Sequence, residues 1–183
     1  MRKFRFTGFD GAAVFSGEFN RVSAKFRQKY SDSILFIHCR AHLLQLCLLS
    51  ACEDIPEIQE SLATLKSLFN FINRSSIRLA RFNEIQTLLK QPKLKLIQPC
   101  DTRWLSYFRS INAVIRCYEA LLMTLEHIAN ERGEESPNAS GLLSILQDRS
   151  TIFVLHSLEP ILEALSIFSK SIQTKNGDFN HLE

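Results

Sequence analysis

The 183-residue chain has the composition of a globular protein, because 45% of its residues are hydrophobic and 22% are charged. That length and apolar content suffice for a domain with its own core, and they exclude a disordered tail or a linker. No apolar run reaches the ~20 residues that a bilayer span needs, so no membrane partner is predicted. Five cysteines at irregular spacing, with no signal segment in front of them, predict reduced thiols and a nuclear or cytoplasmic location.

The net charge of +3 is unevenly distributed, since residues 1–50 contain eight Lys or Arg against three Asp or Glu. A basic end can attract a polyanion such as nucleic acid. The same bias is also typical of a solvated helix surface. The charge alone therefore leaves both interpretations open.

The first predicted element is a strand over residues 3–9, where polar and aromatic side chains alternate. Asp10 and Gly11 end it. An aspartate beside a glycine at a strand tip is a common metal-binding carboxylate, because glycine lets a ligand approach the backbone. Aspartate is equally common as the N-terminal cap of a helix. Both roles are open for Asp10.

A helix is predicted over residues 17–30, followed by a short buried strand over 34–37. From His42 onward the apolar residues have helical spacing and leave almost no polar face, which indicates a helix buried nearly all round. The order strand, helix, strand, helix predicts a parallel pair of strands.

Cys39 and His42 stand where the second strand gives way to the helix, and this spacing could supply half of a zinc site. A structural zinc ion needs four ligands. The remaining candidates, Cys47 and Cys52, lie in the same helix and point away from the junction. Cys39 and His42 are therefore predicted to be a structural pair that binds no metal.

Helical spacing of apolar residues continues over 58–72 and again over 79–89. A connection bounded by Pro92 and Pro99 contains lysines, and its centre, residues 94–97, is predicted to be a short extended piece.

From Trp104 to Leu125 the apolar stripe is uninterrupted, which predicts one long helix docked against the helices before and after it. A polar loop follows at 133–138. A last helical stretch is predicted over 142–173, bent or interrupted at Pro160.

Four blocks occur in this order along the chain: Phe9-Asp10-Gly11-Ala12-Ala13, Ser16-Gly17, His38-Cys39-x-x-His42-x-Leu44-x-Leu46 and Asp101-Thr102-Arg103-Trp104-Leu105-Ser106. Together they resemble the ordered blocks of hAT-superfamily transposases and of the host proteins derived from them. The resemblance spans most of the chain, and the relatives it points to are transposon-derived host proteins of the zinc-finger type.

The resemblance implies a ribonuclease H-like catalytic core with an all-helical insertion. In that fold three acidic residues hold two divalent metal ions, which activate water for strand cleavage. By position, Asp10 resembles the second of those acids. Arg103 and Trp104 lie in a region linked to DNA handling, which makes them candidate nucleic-acid-binding residues. Trp104 is alternatively a plain core anchor.

The fold expected from the resemblance is α+β and predominantly helical. A partial ribonuclease H-like core of two or three short strands is expected over residues 1–54, a helical insertion-like region over 55–174 and a frayed tail over 175–183. An incomplete core would expose an apolar strand edge. This predicts self-association or pairing with another transposase-derived protein.

No counterparts of the first and third acids are found, so Asp10 is interpreted as vestigial and the protein as catalytically inactive. The expected role is a nucleic-acid-associated or protein-binding module, with DNA as a candidate partner and no small-molecule substrate. No cofactor is expected, since Mg²⁺ belongs to a complete, active relative. The alternative is a helical interaction or scaffold protein with no nucleic-acid role.

Overall fold

The computed structural model describes residues 6–9, 22–30, 35–100, 105–131 and 133–173. These residues form two compact units. One comprises the described residues of Met1–Leu48 and Ser169–Glu183, and the other those of Leu49–Phe168.

The first unit contains two short strands and a helix between them along the chain. Strand β1 spans Phe6–Phe9, helix α1 spans Val22–Tyr30 and strand β2 spans Leu35–His38. The strands pair in parallel, with Phe6 opposite Leu35.

The prediction of an α+β fold with a partial ribonuclease H-like core is wrong, because the described chain belongs to the helical class. Within the described residues the strands contribute four residues each and make a single pair. A sheet that buries helices on its faces needs more strands than this. Helix α2 (Arg40–Glu53) begins two residues after β2. From there the backbone hydrogen bonds are satisfied within helices rather than across a sheet.

The second unit is a helical array whose elements contact one another along apolar faces. α6 packs against α4 and α7, and α3 packs against α4, α5 and α7. Burial of each large apolar side chain stabilises such an array by roughly 1.5–3 kcal/mol. The helices are α3 (Pro56–Asn73), α4 (Ser76–Leu88), α5 (Leu105–Arg116), α6 (Tyr118–Asn130), α7 (Ser136–Gln147) and most of α8 (Arg149–Gln173). The largest fully buried apolar residues are Phe82, Leu65, Leu68, Ile72, Ile111, Leu121, Leu125, Leu146 and Leu162.

The prediction of one long helix through Leu125 is wrong, because the chain divides into α5 and α6 at Cys117. There the backbone leaves the helical region, with φ −116° and ψ 22°. The thiol of Cys117 is buried and donates to the carbonyl of Ala113 at 2.8 Å. Burial raises the pKa of this thiol to about 12. The apolar stripe runs through the break, so its spacing could not reveal it.

The prediction of one helical stretch over 142–173 is also wrong, because α7 and α8 meet at Asp148. Its carboxylate accepts from the backbone N–H groups of Ser150 at 2.8 Å and Thr151 at 3.2 Å. An aspartate in this position caps the first turn of α8 and favours a new helix there. α8 then continues through Pro160.

α8 carries apolar side chains on more than one side. The leucines of one stripe are buried: Leu155, Leu158 and Leu162. On another side, Phe153 is 73% exposed. By length and composition alone Arg149–Ile172 could span a membrane, which corrects the prediction that no run is long enough. The buried stripe, and a 2.9 Å hydrogen bond from Asn112 to Glu159, are typical of a helix packed on protein.

α4 ends in a Schellman motif whose C′ position is occupied by a lysine. Lys90 has φ 54°, the left-handed region that favours glycine. The N–H of Gln91 donates to the carbonyl of Gln86 at 2.9 Å, and that of Lys90 to Thr87 at 3.1 Å. A residue with a Cβ is therefore held in a conformation that costs about 1 kcal/mol relative to glycine.

Replacement of Lys90 by glycine is expected to raise the free energy of unfolding by about 1 kcal/mol, because it relieves the left-handed conformation. Urea unfolding followed by circular dichroism measures the change. Lys93→Gly is the control, since it removes the same charge where φ is not positive, and it should give no gain. Equal effects of the two substitutions would contradict this account.

Candidate functional site

The structure describes some of the predicted site residues and not others. Asp10, Arg103 and Trp104 lie outside the described residues. Cys39 and His42 lie within them, at the start of α2. A candidate binding site among the described residues therefore has to consist of other side chains.

Cys39 is the single residue between β2 and α2. Its carbonyl accepts from the N–H of Leu43 at 3.0 Å, which places Cys39 at the helix N-terminus, while its thiol is exposed. His42 is half-buried in the first turn. Among the described residues no group of three or more His, Cys, Asp or Glu side chains is arranged to hold a metal ion. The structural role of Cys39 and His42 stays a prediction.

A cationic segment follows α4, and we call residues 90–96 the lysine strap. Lys90, Lys93 and Lys95 are all exposed. Leu94 is half-buried and Leu96 is buried. The segment forms no regular secondary structure. Its polar and apolar side chains nevertheless alternate over 93–96, as they do in extended backbone, so the two leucines anchor the strap while the lysines face solvent.

The strap is held by the amide of Gln86, a residue of α4 with no exposed surface. The Nε2 group of Gln86 donates to the carbonyl of Leu94 at 3.0 Å, and its Oε1 accepts from the N–H of Leu94 at 2.7 Å. One side-chain amide thereby satisfies both backbone groups of Leu94, as a neighbouring strand would. The positions of Lys93 and Lys95 are set by this contact.

The strap lysines have no acidic partners within the described part of the chain. Residues 85–100 contain three lysines and no Asp or Glu. Glu119, on α6, instead accepts from the Nε2 of Gln91 at 3.2 Å. Unpaired ammonium groups on a fixed backbone are suited to contact phosphate oxygens.

Sequence reasoning identified the lysine-containing connection, but it missed Gln86. The short extended piece predicted over residues 94–97 is not formed as a strand. The usable signal was the alternation of lysine and leucine over residues 93–96. No feature of the local sequence identifies Gln86 as a functional residue, because its partner lies eight residues away and its burial depends on the packing of α4.

A comparison with protein families returns a match over much of the chain. The model described as the ZBED1 RNase-like helical domain matches residues 37–147. The matched region is more than half of the chain, and it includes α2 to α7 and the lysine strap. No solved structure matches the chain.

Gln86→Leu is expected to lower the free energy of unfolding by about 2 kcal/mol, since it leaves the N–H and C=O of Leu94 without their partner. Urea unfolding measures the loss. The control is Gln98→Leu, which changes an exposed residue of the same connection and should alter stability by no more than about 0.5 kcal/mol. Indistinguishable losses would mean that the amide of Gln86 does not hold the strap.

Proposed function

Since the chain belongs to the family of the ZBED1 RNase-like helical domain, which is derived from hAT transposases, we propose that it acts as a nucleic-acid-associated module without nuclease activity of its own. The family match is consistent with a host protein of the zinc-finger BED type. A role on DNA would place the protein in the nucleus.

The observation that carries this proposal is the lysine strap. Lys93 and Lys95 are exposed, form no ion pair with another described residue, and lie on backbone held by the Gln86 contact. Lysine acts on a phosphate as a point charge, and each phosphate that it neutralises releases condensed counterions. The resulting binding follows the sugar-phosphate backbone and carries no base information. The expected ligand is therefore DNA or RNA without strong sequence preference.

The absence of nuclease activity is proposed from the chemistry of the reaction. Transposase cleavage uses three acidic residues to hold two metal ions, and one carboxylate cannot hold that pair. In this sequence only Asp10 matches the pattern of those acids. Neither a metal cofactor nor a small-molecule substrate is part of the proposal.

A second candidate is a helical interaction protein with no nucleic-acid role. It is favoured by the outward apolar side chains of α8, where Phe153 is 73% and Ile161 is 54% exposed. Phe153 and Ile161 line a surface groove of about 370 Å³. Ile55, which precedes α3, and Ile58 of α3 also line it. The leucines on the other stripe of α8, Leu155, Leu158 and Leu162, are themselves buried in the second unit.

The combined substitution Lys93→Gln and Lys95→Gln is expected to weaken duplex DNA binding and to reduce its salt dependence. The slope of log K against log salt concentration should fall by about 1.8, because each lost phosphate contact removes about 0.9. Fluorescence anisotropy with a labelled duplex, over a range of KCl concentrations, measures the slope.

The matched control is Arg109→Gln with Arg116→Gln, which removes the same charge from exposed positions of α5. This pair should change the slope by less than half as much. An equal reduction of the slope by both pairs of substitutions would show that the strap is not the site of DNA binding. No salt-dependent binding by the unmodified chain would favour the interaction protein instead.

The full chain is expected to leave supercoiled DNA intact in the presence of Mg²⁺ or Mn²⁺, since the metal pair has no complete set of ligands. Conversion of supercoiled to nicked plasmid measures any cleavage. Asp10→Asn should behave identically. Metal-dependent nicking that disappears in this variant would show that Asp10 is a functioning catalytic acid.

A further inference from the structure

A second surface of the helical unit has different chemistry from the lysine strap. It is a groove of about 480 Å³ whose lining comes from α3, the α3–α4 turn, the start of α4, and α7. We call it the arginine groove, because Arg74 and Arg78 lie in its lining. Apolar side chains, including Phe71, Leu142 and Ile145, make up much of the rest, and no acidic residue is among them.

Arg78 forms one side of the arginine groove and is held by several contacts. Its guanidinium lies 4.4 Å from the centre of the Phe71 ring, and its Nε donates to the carbonyl of Phe71. It also forms an ion pair with Glu135, the residue before α7. Burial lowers the pKa of Arg78, which still stays protonated at neutral pH. Through these contacts of its Nε and Nη1 groups, Arg78 positions the ring and ties α4 to α7.

Arg74 is the cation that remains available. It caps the C-terminus of α3 through its backbone N–H, which donates to Asn70 at 3.1 Å. Its side chain is exposed and forms no ion pair with another described residue. A carboxylate entering the groove would therefore meet one unpaired guanidinium, which can bind it through two parallel hydrogen bonds.

Gly141 keeps the groove open. It lies inside α7, where glycine costs about 1 kcal/mol relative to alanine. No close packing explains it, since an added Cβ would meet no atom within 4 Å. Its φ is not positive either. The local effect of this glycine is that no side chain occupies the space beside Leu142 and Ile145.

We propose that the arginine groove binds an acidic, amphipathic peptide segment of a partner protein. Apolar side chains of the peptide would pack on Phe71 and on Ile145, which is 42% exposed, while a carboxylate pairs with Arg74. A nucleic acid fits less well, because the groove offers one unpaired cation above an apolar floor, whereas backbone binding uses several cations. This activity is independent of the proposed binding of nucleic acid by the lysine strap.

The test is selection of random peptides of about a dozen residues, displayed on phage, against the immobilised full chain. Enriched peptides are expected to combine Leu or Phe with Asp or Glu, and their synthetic forms are then titrated by fluorescence anisotropy. Arg74→Glu should weaken binding at least about tenfold, because it replaces a charge-assisted pair by repulsion. Gly141→Leu should abolish binding by filling the groove.

Gly141→Ala is the matched control, since it adds one methyl group in open space and improves the helix propensity of α7. It should bind within about twofold of the unmodified chain and unfold at higher urea concentration. Lys93→Gln with Lys95→Gln should leave peptide binding unchanged, which separates this proposal from the binding of nucleic acid.

Several results would overturn the inference. One is the enrichment of no peptides, or of basic peptides. Another is binding that survives both Gly141→Leu and Arg74→Glu, because the peptides would then lie elsewhere. Displacement of the selected peptides by single-stranded DNA, in a chain that lacks the strap lysines, would identify the groove as a nucleic-acid site instead.

Discussion

The packing of α4 against α3 and α6 is the contact on which both proposed surfaces depend. Phe82 and Ile85 of α4 are buried in the helical core, and this fixes the rotation of the helix about its axis. With that rotation set, Gln86 points into the interior and reaches Leu94. The same rotation directs Arg78 towards Phe71 and Glu135. One packed helix therefore organises a cationic strap at its C-terminus and a groove at its N-terminus.

These two surfaces differ in how their charge is used. The strap presents ammonium groups that pair with no acid among the described residues, on backbone held by a buried amide, which suits a phosphate backbone. In the groove the guanidinium of Arg78 forms an ion pair with Glu135 and lies over the ring of Phe71. Much of the remaining lining is apolar. α4 has 13 residues and is about 20 Å long, so its two ends are far enough apart to serve separate ligands. A nucleic acid and a protein segment could be bound by one helical unit at the same time.

Membership of a transposase-derived family does not require that transposase chemistry persists. The matched region is the helical domain, and its described surface includes cations and exposed apolar side chains. The breaks at Cys117 and Asp148 divide this domain into more helices than its apolar stripes predict. They allow α5 to pack on α3 while α6 packs on α4 and α7. The start of α7 lies beside Arg78, where the groove forms.

The sequence alone was sufficient for the family, since the blocks around His42 and Trp104, two of those that carried the resemblance, lie within the family match over residues 37–147. Apolar spacing was also sufficient for helices over much of 58–89, because each residue of a helix makes its hydrogen bonds with neighbours four positions away. The sequence was insufficient for the fold class, for the breaks at Cys117 and Asp148, and for the Gln86 contact. A resemblance to a larger fold does not determine how many strands this chain can pair. Only the tertiary structure decided these features, because a helix break inside a continuous stripe and a buried amide are both stabilised by partners on other parts of the chain, which local spacing does not encode.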